Sequence, residues 1–78
     1  MVNEDKVKEI VSETFKISRA DILMGMTPDD IELWDSLGQL MLINNLEKGF
    51  NVIFELDEIF EIISIADIVS ILKRKEIV

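Results

Sequence analysis

The chain has 78 residues, enough for one domain with a small core and too few for a deep catalytic cavity. Its 16 Asp and Glu outweigh 8 Lys and Arg, and the net charge of -8 opposes binding to nucleic acid or to anionic lipid. At 49% hydrophobic residues it is too apolar for an acidic disordered tail, and with no Cys and no His it lacks a thiolate, a cysteine zinc site and an imidazole base.

Residues 1–9 are mostly polar and no apolar h-region follows, so no export signal is expected. The longest unbroken apolar run, residues 40–43, is far short of a membrane span. A soluble cytoplasmic protein without membrane insertion is expected, as a monomer. Asn3 is placed to cap a first helix, with Glu4 and Asp5 in its first turn. Val7, Ile10, Val11, Thr14 and Phe15 recur at helical spacing, which predicts helix from about residue 3 to about 16.

Residues 17–35 lack a long period. Within them Thr27-Pro28-Asp29-Asp30 has a cap residue, then Pro at a first helical position, then acids, which predicts a short helical turn. Asp29, Asp30, Glu32 and Asp35 do not fit the EF-hand spacing and are read as solvated loop acids, with no metal site.

A second helix is predicted from Ser36 to about residue 48. Ser36 and Gln39 form an S-x-x-Q capping box, and Gly49 is placed to stop the helix. At about 100° per residue, Leu42, Ile43, Leu46 and Phe50 share one side, while Leu37, Leu40 and Met41 lie roughly opposite. The first set has the better periodicity and is assigned to the core. The second then forms a semi-exposed apolar patch, although burial under the long loop or the third helix would hide it equally well. Residues 50–56 alternate loosely, but a lone strand has no partner here, so they are read as an extended loop. Asp57 is expected to cap a short third helix ending near Ile62. Ser64 with Asp67 is a second capping box, opening a helix from about Ile65 to Lys75. Its apolar face is Ile65, Ile68, Val69, Ile71 and Leu72, and Lys73, Arg74 and Lys75 suit its C-terminal dipole. The expected fold is all-α: residues 1–78 as one domain, a small four-helix bundle of three main helices and a short third, with a long first loop.

Trp34-Asp35-Ser36-Leu37 stands where the long loop meets the second helix. This resembles the attachment motif of the acyl carrier and peptidyl carrier proteins, Asp-Ser-Leu at the same point. The similarity covers nearly the whole chain: the opening helix, the long loop, Leu46-Glu47 with Phe50 ending the second helix, the short third helix, and a last helix opened near Ser64-Ile65. The resemblance implies that Ser36, flanked by Asp35 and Leu37, carries a covalent 4′-phosphopantetheine arm taken from coenzyme A. The arm's thiol would hold acyl or aminoacyl groups as thioesters for a fatty-acid, polyketide or specialised pathway. The implied partners are a phosphopantetheinyl transferase and the loading and downstream biosynthetic enzymes, and the chain itself is not an enzyme.

A helix N-terminus suits a phosphodiester, because its free N–H groups and partial positive charge favour anions. Many fatty-acid carriers follow Asp-Ser-Leu with acids that meet basic enzymes; here Gly38, Gln39, Leu40 and Met41 follow instead, and Glu47 remains. The expected partner face is therefore Leu40 and Met41 with Glu47 at the rim, more apolar than in the general fatty-acid type. Trp34 anchors the loop or lines the arm, and Gly38 gives room for a close approach. The competing reading is an unmodified helical module that binds a partner through Leu37, Leu40 and Met41.

Overall fold

The helical periodicities become α-helices in the computed structural model, which describes residues 4–75. Helix α1, Glu4–Phe15, buries Val7, Ile10, Val11, Thr14 and Phe15, the five positions its spacing predicts. The expected cap at Asn3 lies outside the described residues. Lys16 ends α1 in the left-handed region with φ 58°, and the Ile17 N–H returns to the Ser12 carbonyl at 3.3 Å.

The long loop is not loose. Arg19–Asp21 forms a single 3-10 turn that the sequence reading did not anticipate. Ile22, Ile31 and Trp34 then drop into the core. Thr27-Pro28-Asp29-Asp30 closes as a turn: the Thr27 N–H donates to Asp30 Oδ2 at 3.0 Å, and the Asp30 N–H donates to the Thr27 carbonyl at 2.9 Å. It does not grow into a helix. The loop also serves α4, Ile65–Arg74. The first helical N–H groups of α4, at Ile65 and Ala66, donate to the carbonyls of Met26 and Met24 at 3.1 and 2.8 Å. Groups that an α-helix must leave unpaired are thereby satisfied.

Helix α2, Ser36–Phe50, buries Leu42, Ile43 and Leu46, with Phe50 partly buried against the same core. Gly49 does not stop it. The helix runs on to Phe50 and ends at Asn51, whose φ of 55° suits an Asn in the left-handed region. Gly49 has a different use, since a Cβ there would come within 2.6 Å of Ile10 Cδ1. It lets α1 and α2 approach closely.

Residues 52–55 form a connection without regular secondary structure, with Glu55 extended and no strand among the described residues. Helix α3, Leu56–Glu61, begins one residue before the expected start. Its N-cap is Glu55, not Asp57, and the Glu55 N–H donates to Glu58 Oε1 at 2.8 Å. Ile62 lies past its end and is buried. Helix α4 buries Ile65, Ile68, Val69, Ile71 and Leu72, and the Ser64–Asp67 capping box forms as the sequence predicts. The architecture is an all-α bundle of four helices among the described residues. None of those helices is long and apolar enough to cross a membrane.

Candidate functional site

The junction of the loop and α2 is built from Trp34 outward. Its indole is buried, and it stacks on Phe15 with ring centroids 5.6 Å apart. The indole Nε1–H donates to Gln39 Oε1 at 2.6 Å. Trp34 is thus the anchor that ties the loop to the bundle. It also lines the groove described below.

Asp35, not Ser36, caps α2. Its Oδ1 accepts the Gly38 N–H at 2.8 Å, and its carbonyl accepts the Gln39 N–H at 2.8 Å. The S-x-x-Q capping box therefore does not form. The carboxylate one residue earlier reaches the first-turn amide, and Gln39 turns to Trp34 instead. Ser36 becomes the first residue of the helix, with an exposed side chain and, among the described residues, no hydrogen-bond partner for its hydroxyl. Gly38 is also reassigned. A Cβ at that position would collide with the Leu33 carbonyl oxygen and sit 3.1 Å from Phe15 Cε1. The close approach it permits is that of the protein's own loop, not of an arm or a partner.

Leu37, Leu40 and Met41 are exposed at 67%, 63% and 48%, so they form the outward patch rather than a second core. Glu47 does not stand free at its rim. It is half-buried and accepts the Phe54 N–H at 2.9 Å, bracing the connection between α2 and α3.

Between α2 and α3 runs an open groove of about 510 Å³, with Ser36 at its edge. Its walls include Trp34, Gln39 and Leu40 on one side and Leu56, Ile59 and Phe60 on the other. Leu56 and Phe60 are a helical turn apart, and both are exposed. The sequence reading missed these two. An apolar pair at i and i+4 on a helix too short to bury it was the available signal.

The residues fit a phosphodiester-linked group at Ser36. The hydroxyl is exposed and uncommitted, it sits in the first turn of a 15-residue helix, and the cap is supplied by a neighbour. The first-turn amides of Ser36 and Leu37 have no acceptor within the helix, and a helix N-terminus favours an anion. No three carboxylates converge to hold a metal ion among the described residues. Of the loop acids, Asp30 is taken up by the Thr27 turn and Asp35 by the cap. No protein-family model matches the chain, and no curated protein is significantly similar to it.

Proposed function

We propose that the chain is a carrier protein: a non-catalytic domain that bears acyl or aminoacyl groups on a 4′-phosphopantetheine arm esterified to Ser36. The observation that carries this reading is Ser36 itself. Its hydroxyl is exposed and free at the first turn of α2, within Asp35-Ser36-Leu37, and it opens onto an apolar groove. When bound, the arm supplies the thiol that forms the thioester, and the chain has no cysteine to compete with it. Asp35 caps the first turn, and the amides of Ser36 and Leu37, unpaired within the helix, would be the groups available to hold the phosphate. Leu40, Leu56 and Phe60 offer apolar surface beside the attachment point, both to a carried group and to an approaching enzyme. The partners are a phosphopantetheinyl transferase and the enzymes that load and use the carried group. A cytoplasmic location fits that work.

The exposure of Leu37, Leu40 and Met41 also favours a second reading, an unmodified module that docks a partner through these residues. Incubation with coenzyme A and a phosphopantetheinyl transferase, read by intact mass, separates the two. The expected result is the addition of one phosphopantetheinyl group, abolished by Ser36→Ala with helix content unchanged. Because Asp35 supplies the cap, this substitution removes no capping bond and is milder than the loss of about 1 kcal/mol usual for a cap residue. An unmodified mass, or labelling that persists in Ser36→Ala, defeats the carrier assignment.

A further inference from the structure

Gln39 lies one turn after Ser36, in the wall of the groove. Its side-chain amide is used at both ends. Oε1 accepts the indole N–H of Trp34 at 2.6 Å, and Nε2 donates to the backbone carbonyl of Ile59 in α3 at 3.2 Å. One amide therefore joins the first loop, α2 and α3. Trp34 is fixed in turn by its stack on Phe15.

The other polar ties of α3 run to the end of α4. Lys75 Nζ pairs with Glu58 at 2.8 Å and Arg74 with Glu61 at 2.6 Å, both reaching from the end of α4. None of the six residues of α3 is buried. Apolar packing therefore holds this helix weakly, and the specific polar bonds carry more of its placement. Among the described residues, the bond from Gln39 is the one hydrogen bond between α2 and α3.

We propose that Gln39 is a positioning residue, a latch that fixes α3 across the groove beside Ser36 and couples its place to Trp34. With the latch closed, the groove has a set width. With it open, α3 can swing on its ties to α4, the groove widens to take a bulkier apolar group, and the indole loses its partner. The use of the latch for a carried group rests on the carrier reading above. The latch itself does not, and it is tested on the unmodified chain.

Two substitutions divide the bridge. Gln39→Met keeps the volume and removes both bonds. Gln39→Glu keeps an acceptor for Trp34 but has no proton to give the Ile59 carbonyl. Hydrogen exchange is followed at the amides of Ile59 and Ile62, which close α3, and at Leu42 and Leu72 in the core. Both variants are expected to speed exchange at Ile59 and Ile62 by about twofold to tenfold, with the core amides unchanged. Trp34 emission is expected to shift in Gln39→Met and to stay at the wild-type position in Gln39→Glu. Wild-type rates at Ile59 and Ile62 in both variants overturn the latch. So does an equal acceleration at all four amides, because Gln39 would then support the whole fold rather than α3. The mass test at Ser36 is independent of both results, so the carrier reading and the latch can fail separately.

Discussion

Helices α3 and α4 are neighbours in sequence, and both begin with an acidic residue at the third helical position, yet they are held in opposite ways. Helix α4 buries five of its ten residues. Each fully buried Ile or Leu contributes about 1.5–3 kcal/mol, so apolar packing alone secures it. Helix α3 buries none of its six and turns Leu56 and Phe60 outward at 66% and 74% exposure. It is fixed by polar bonds instead: Gln39 from α2, Lys75 and Arg74 from the end of α4. Part of the molecule makes the fold and part presents a surface, and α2 belongs to both. Its Leu42, Ile43 and Leu46 are core, while Leu37, Leu40 and Met41 are exposed, with Leu40 in the groove shared with α3.

The largest effects test that division within α2. Leu46 is fully buried, so Leu46→Ala is expected to cost about 2–5 kcal/mol in denaturant unfolding. Replacing Leu40 and Met41 together by Lys is expected to leave stability within about 0.5 kcal/mol, the usual range for surface changes. If the double variant unfolds as readily as Leu46→Ala, the patch belongs to the core and the division of α2 is wrong.

A second contrast lies between the two glycines of α2. Alanine is favoured over glycine in a helix by about 1 kcal/mol, so each Gly→Ala change begins with a gain. At Gly38 the new Cβ meets the Leu33 carbonyl, a backbone group that cannot rotate aside. Overpacking of this kind costs about 1–3 kcal/mol, and Gly38→Ala is expected to be destabilising. At Gly49 the Cβ meets side chains alone, the tip of Ile10 closest and Lys6 Cε at 3.9 Å, and these can adjust. Gly49→Ala is expected to be close to neutral. Urea midpoints rank the two, and equal midpoints would show that the loop does not sit tightly on α2.

The helical periods were legible in the sequence because burial follows them directly. The apolar stripes of α1 and α4 match the buried residues position for position. The division of α2 into a core face and an outward patch was legible for the same reason. The caps were less so. Asp35 and Ser36 both can cap, as can Glu55 and Asp57, and choosing between them needs the backbone angle of the preceding loop. The role of Gln39 was hidden because its two partners stand five and twenty residues away. The purpose of Gly38 was hidden similarly, since Leu33 reaches it only once Ile31 and Trp34 are buried. The groove depends on where α3 settles, and no local pattern states that.

The smallest expected effect concerns the polar side of the comparison. Glu58 and Lys75 are paired at 2.8 Å with side chains 17% and 20% exposed. The hydrogen bond from Lys75, and then the Glu55 N–H, hold the Glu58 carboxyl below its ordinary pKa of 4.5. A carboxyl depressed in the folded state adds stability at all pH values above its unfolded pKa. That stability is lost as the pH falls through the folded value, where both states become protonated. Wild type is thus expected to exceed Glu58→Gln by about 1 kcal/mol or less at neutral pH. The two should converge in acid, with the convergence beginning as the pH falls toward 4.5. The loss should be local as well as small. Exchange at Ile59 and Ile62 should quicken in Glu58→Gln while Leu72 keeps its neutral rate, because α4 is secured by its buried face and not by the pair. A gap that stays constant from neutral pH into acid would mean that Glu58 acts through shape rather than charge. The polar tether of α3 would then rest on Gln39 and Arg74 alone.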